Sequence, residues 1–235
     1  MVLIKLLIAH LIGDFVLQTK SSIAEKENKK HKSPQLYLHV LTHGIISLLL
    51  LWSKEYLMGI FLIMFTHLII DLWKITHQTE ENKQALFVID QLLHFGIILT
   101  VGELYSPWIS ESLKGINNNQ IYLFILAMLL ITTASSHFIK VIISKWQPEN
   151  EDGEEDSLTN AGSYIGILER LFVFGFVVSG NMQAIGFLLA AKSVFRFGDL
   201  KDSVDRKLTE YILIGTLLSF GLAILIGFSY LKIKI

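Results

Sequence analysis

The chain has 235 residues, of which 52% are hydrophobic and 17% charged, and a mean hydropathy of +0.52. That is too apolar and too weakly charged for an ordinary soluble domain and marks an integral membrane protein. A net charge of -1 offers no general attraction to nucleic acid, and the absence of cysteine excludes disulfides, thiolate metal sites and thiol nucleophiles.

Apolar stretches of about the 20 residues needed to cross a bilayer fall at 2–17, 35–52, 56–74, 85–102, 121–144, 162–179, 182–197 and 208–231. The expected fold is all-α, a polytopic membrane bundle of about eight transmembrane helices, the first and seventh short. Pro34, Pro107 and Pro148 lie at or between these stretches, where a missing backbone donor does least harm. The first stretch lacks a small-residue cleavage site and holds His10 and Asp14, so it reads as a retained helix rather than a signal peptide. Thirteen Lys and Arg fall on the side of the basic 20–32 loop and five on the other. That asymmetry puts both termini outside, as a multi-pass membrane protein. The acidic run "ENEDGEED" at 149–156 reads as a solvated loop without EF-hand spacing. The stretch "LYSPWISESLKGI" at 104–116 reads as an interfacial helix or a loop.

The first four stretches share a pattern. "AHLIGDF" carries His10 and Asp14, "LHVLTHG" carries His39 and His43, "THLIIDL" carries His67 and Asp71, and "DQLLHFG" carries Asp90 and His94. Residues four apart share a helix face, so each pair can point at a common axis. The first and third stretches carry their pairs late and the second and fourth carry theirs early, which puts all four at one depth in the cytoplasmic half. Residues 1–52 and 56–102 are thus parallel repeats of one hairpin design. They form a four-helix core over 1–102, with the helices of 103–235 packed on it.

Five imidazoles and three carboxylates without thiolate suit two divalent transition-metal ions, Zn, Mn or Fe, with coordination positions left for water. A single His-x3-Asp pair would read as an interhelical hydrogen bond; four at one depth favour metal, and a proton relay is the other reading. Gln18, Gln91 and Lys74 adjoin the ligands and are expected to support them.

A second polar set comprises Glu169, Arg170, Lys192, Arg196 and Glu210. Arg170, Lys192 and Arg196 can grip an anionic head group, or the set can be an internal ion-pair network with Glu169 and Glu210. Gly162, Gly166, Gly221 and Gly227 read as close-packing positions. His31 and His77 read as solvated loop residues and His137 as a hydrogen-bonded core residue.

The strings "AHLIGDFVLQ", "LHVLTHG", "FTHLIIDLWK", "DQLLHF", "GILERLFV", "IGFLLAAKSVFRFGDL" and "EYILIGTLLSFGLA" together resemble an uncharacterised family of bacterial integral membrane proteins, the domain of unknown function 3307. More remotely, the His and Asp pattern is similar to the LexA-binding, membrane-bound metal-dependent hydrolases. That likeness implies a hydrolase using His10, Asp14, His39, His43, His67, Asp71, Asp90 and His94. The expected activity is therefore metal-dependent hydrolysis of a phosphate ester or lipid-like anion at the cytoplasmic leaflet, with membrane lipid as partner. Metal-bound water is the expected nucleophile. Transport of metal ions or protons, and a structural or regulatory role with a structural metal, are the alternatives.

Overall fold

The computed structural model describes residues 1–105, 120–146, 157–196 and 203–234, and every regular element among them is helical. The helices are α1 (Val2–Phe15), α2 (Lys20–Lys29), α3 (Pro34–Leu51), α4 (Leu57–His77), α5 (Lys83–Tyr105), α6 (Gln120–Leu129), α7 (Ser135–Ile143), α8 (Ser157–Val178), α9 (Met182–Arg196) and α10 (Ser203–Lys234). The chain divides into two compact units, Met1–Leu126 and Ala127–Ile235.

All eight expected stretches are helical, but eight crossings are not what their lengths provide. Among the described residues, five helical segments are long and apolar enough to cross a bilayer: Pro34–Leu51, Lys54–His77, Lys83–Tyr105, Gln120–Trp146 and Thr209–Ile233. The first helix has only 14 residues, about 21 Å at 1.5 Å per residue, against a hydrocarbon core of about 30 Å. It counts as a sixth span only when joined to Lys20–Lys32 across an 82° bend. The second departure is at that bend, where the expected basic loop is helix α2. Thr19 starts it, its hydroxyl accepting from the Ser22 amide, which satisfies one of the donors a helix N-terminus leaves open. The stretches 104–116 and 149–156, with Pro107 and Pro148, lie largely or wholly outside the described residues.

In the first unit α1, α3, α4 and α5 form a ring in which α1 packs on α3 and α5, and α4 packs on the same two helices. Consecutive members run in opposite directions. At one end Val2, Leu3, Leu6, Leu51, Ile60, Ile63, Ile98 and Val101 build a closed apolar core. Gly102 sets the approach of α5 to α1, since a Cβ there would lie 2.9 Å from Leu3 Cδ1 and 3.2 Å from its Cα. Outward faces are apolar as well, with Leu41, Ile45, Phe61, Phe65 and Ile69 exposed, as lipid contact requires. His31 and His77 are exposed as expected, but in helical turns rather than loops: His77 is the last residue of α4 and His31 lies in the 3-10 turn Lys30–Lys32.

The second unit has its own core of Val173, Val177, Ile185, Phe220 and Ala223. Gly227 admits Val177, 2.8 Å from where its Cβ would stand, whereas Gly162 and Gly221 face open space; of the expected packing glycines, Gly227 makes that kind of approach. α6 and α7 are one bent helix joined by a π-helical turn, Leu130–Ala134. His137 lies exposed, its ring nitrogen 3.0 Å from the Thr133 carbonyl of its own helix, rather than in the core.

Replacing Gly102 by Ala is expected to destabilise the first unit by about 1–3 kcal/mol through overpacking against the Leu3 backbone. Gly96→Ala, where a Cβ meets nothing within 4 Å, is expected to be neutral or stabilising by up to about 1 kcal/mol. Thermal unfolding of the two variants in detergent checks the contrast.

Candidate metal centre

At the end of the ring opposite the apolar core, the eight side chains of the repeated pattern meet. His10 and Asp14 come from the last turns of α1, His39 and His43 from the first turns of α3, His67 and Asp71 from α4, and Asp90 and His94 from α5. Seven are buried outright and Asp14 nearly so, with a side chain only 9% exposed. The antiparallel ring explains the convergence, because pairs late in α1 and α4 are level with pairs early in α3 and α5.

Asp14 is the hub. Its Oδ1 lies 3.0 Å from His43 Nε2, 3.2 Å from His39 Nε2 and 3.7 Å from His67 Nε2; His39 Nε2 and His67 Nε2 are 3.2 Å apart. A tetrahedral ion with bonds of about 2.0–2.1 Å has ligand atoms about 3.3 Å from one another. The three Asp14 Oδ1 separations and the His39–His67 separation, 3.0 to 3.7 Å, bracket that spacing. Its other oxygen, Oδ2, faces His10 Nε2 at 3.7 Å, and His10, Asp14 and His94 form a second group able to hold an ion. A third grouping, His67, Asp71 and His94, overlaps both.

Hydrogen bonding within the protein does not satisfy this set. Both ring nitrogens of His10 and both of His94 are buried without a partner, as is Asp90 Oδ1. A buried polar atom left unpaired costs about 1–3 kcal/mol, and neutral imidazole has only one N–H to donate. Three Nε2 atoms directed at one carboxylate oxygen, with four further orphaned nitrogens beside it, are a donor set that could hold a cation. Gly13 makes it possible: a Cβ at that position would overlap the His43 ring.

The remaining polar groups orient these ligands. Gln91 Nε2 donates to Asp14 Oδ2 at 2.9 Å and to Asp90 Oδ2 at 3.2 Å. Lys74 Nζ donates to Asp90 Oδ2 at 2.9 Å, so Asp90 stands at the edge of the cluster, 3.9 Å from His94 Nδ1, and belongs to none of the three groups. Gln18 Nε2 is 3.5 Å from His39 Nε2. One participant escaped the sequence reading altogether. Lys26, on α2, is 5% exposed and its Nζ lies 3.1 Å from Asp71 Oδ2. Its signal in the sequence was the Thr19 cap, which starts a helix inside a Lys-rich run that otherwise reads as loop.

Arg170 and Lys192 have partners inside the second unit. Lys192 Nζ pairs with Glu169 Oε2 at 2.8 Å, the internal ion pair that was the alternative to anion binding. Arg170 donates through Nε to the Ile131 carbonyl at 2.6 Å, through Nη1 to Ser219 Oγ at 3.1 Å, and through Nη2 to the Thr132 carbonyl and Ser136 Oγ. The guanidinium is thereby occupied with the π-helical turn instead of standing ready for a ligand. The Arg196 side chain lies outside the described residues, and Glu210 is exposed on α10.

Comparison with known proteins is confined to one family. No curated protein and no solved structure matches the chain, and none of these comparisons supports the remoter likeness to the LexA-binding hydrolases. The family model described as "Protein of unknown function (DUF3307)" matches residues 2–124, which contain the whole four-helix ring, α2 and every residue of the His and Asp cluster. The chain therefore belongs to the DUF3307 family.

Proposed function

We propose that the first unit is a membrane-embedded dinuclear metal centre and that it acts as a hydrolase on a phosphate ester or lipid-like anion at the cytoplasmic leaflet of a bacterial inner membrane. The observation that carries this reading is the inequality of the two donor groups that share Asp14. Asp14, His39, His43 and His67 supply four donors, enough to close a tetrahedral site; Asp14, His10 and His94 supply three. Structural zinc sites are closed, whereas catalytic ones hold three protein ligands and keep a position for water or substrate. The unpartnered ring nitrogens of His10 and His94 fall in the three-donor group. His-rich donors with carboxylate suit Zn, Mn or Fe.

A divalent ion in the open position would supply a Lewis acid and a water acidified toward about pH 7. The chain's own contribution is placement. Asp14 would join the two positions, Gln91 fixes the Asp14 carboxylate, and Lys26 and Lys74 are the cations beside the cluster, each paired with a carboxylate, Asp71 and Asp90. The apolar core of Leu3, Leu6, Ile60, Ile63, Ile98 and Val101 closes the ring on the other side. That closure argues against a transport path along the axis of the ring, because a path needs polar groups through the full thickness.

Elemental analysis of detergent-purified protein is expected to find about two ions per chain, the number two adjacent donor groups hold. Asp14→Ala should lose both, since it serves both groups, and His43→Ala only the ion of the four-donor group. Full metal content in Asp14→Ala would refute the centre. Gly13→Ala should destabilise the first unit by about 1–3 kcal/mol, because its Cβ would overlap the buried His43 ring. Its metal affinity should fall as well, at least tenfold, about 1.4 kcal/mol, because His43 has to move. Assays with p-nitrophenyl phosphate and short-chain phospholipids should show hydrolysis that chelation abolishes and Zn or Mn restores; inertness of the fully loaded protein toward both would remove the hydrolase reading and leave the centre structural.

A further inference from the structure

We propose that α2 is a lid over the metal centre and that Lys26 is its latch, holding Asp71 while the lid is closed. The helix packs on α3 and α4 at the end of the ring where the His and Asp residues meet. Lys26 sets it against Asp71 at the edge of that cluster. The opposite end is filled by apolar side chains, so α2 lies at the end of the ring that carries the cluster.

The way α2 is held distinguishes it from its neighbours. Its sequence, KSSIAEKENK, has two apolar residues, Ile23 and Ala24, and both are exposed. The single buried residue in the helix is Lys26. Its fastenings are polar: Lys26 to Asp71 at 3.1 Å, the Gln78 amide donating to Glu27 Oε1 at 2.9 Å, and Ser33 Oγ to Glu25 Oε1 at 3.5 Å. A helix in which no apolar residue is fully buried is drawn from the low-stability end of a structure, where local opening is cheap. Both flanks suit a hinge. The 82° bend separates it from α1, and at its other end Lys30 adopts φ 51°, ψ -126°, a backbone conformation unfavourable for a residue with a Cβ, which a swing of α2 can relax.

Opening would also change the ligands. Asp71 Oδ2 belongs to Lys26 in the closed form, while Asp71 Oδ1 lies 3.9 Å from His94 Nε2 and 3.8 Å from His67 Nε2. Withdrawal of the ammonium leaves a buried carboxylate that needs a new cation, and the three-donor position is beside it. Lys26 and an incoming divalent ion are therefore competitors for Asp71. This last step rests on the metal reading; the lid itself does not.

The chain has no cysteine, so a cross-link can be introduced cleanly. The double variant Glu27→Cys, Gln78→Cys ties α2 to the end of α4 at a pair already in contact, and Lys26→Met removes the latch. Two rates are measured on the full chain in detergent: removal of Zn by EDTA from Zn-loaded protein, and hydrogen exchange of the amides of α2. With Lys26→Met the exchange of the α2 amides should rise at least tenfold while the amides of α3 to α5 keep their rates. Oxidation of the cysteine pair should slow both at least tenfold, and reduction should restore them. Equal rates in the oxidised and reduced forms would overturn the lid. If no form binds Zn the metal centre falls, and the lid is then judged by exchange alone: α2 amides indifferent to both Lys26→Met and the cross-link overturn it.

Discussion

Asp14 is the charge around which the first unit is organised. A carboxylate inside a mostly apolar ring of helices is costly unless it is compensated, and every element of the unit contributes to the compensation. α3 brings His39 and His43 to within 3.2 Å of one of its oxygens, α4 brings His67, and Gln91 from α5 donates to the other oxygen. Neutral imidazoles can neutralise such a group only by donating single protons, and here more nitrogens converge than there are protons to share. The lone pairs left over make the cluster one that could hold a cation.

The ring resolves the conflict between this polar cluster and its apolar setting by separating them along its axis. Leu, Ile and Val fill one end and the His and Asp pairs the other, so the cost of polarity is confined to a single layer. The brevity of α1 belongs to the same arrangement. Its 14 residues end just beyond Asp14, the chain turns through 82°, and α2 delivers a cation to Asp71 across the mouth. A longer first helix would carry the chain past the cluster and leave Asp71 without Lys26. Lys74 performs the corresponding service for Asp90, so two of the three carboxylates are each matched with a lysine and the third, Asp14, is left to the imidazoles.

The second unit meets a related problem with the signs reversed. Arg170 is a buried cation, and the structure surrounds it with acceptors: two backbone carbonyls and two hydroxyls. The carbonyls come from the π-helical turn Leu130–Ala134, where departure from the α-helical bonding pattern frees acceptors for a side chain. Arg170 and the turn are thus one feature seen from two helices.

The eight His and Asp positions were legible in the sequence because a spacing of four on a helix puts both members of a pair on one face, and because apolar stretches of this length adopt few structures other than helices. The common depth of the four pairs followed from alternating helix direction alone. The sequence could not distinguish a segment that crosses from one that bends, since length and apolarity describe a stretch without its path; α1 shows this. Nor could it sort the donors into the three overlapping groups, which depends on how the side chains of four helices meet. Arg170 looked like an anion ligand because charge is visible in a sequence while the carbonyls of a π-turn are not. Lys26 was one lysine among several in a polar run, and it became a partner of Asp71 only when a helix capped by Thr19 folded across the end of the ring. Local periodicity determined what the helices carry, and tertiary packing decided which atoms meet.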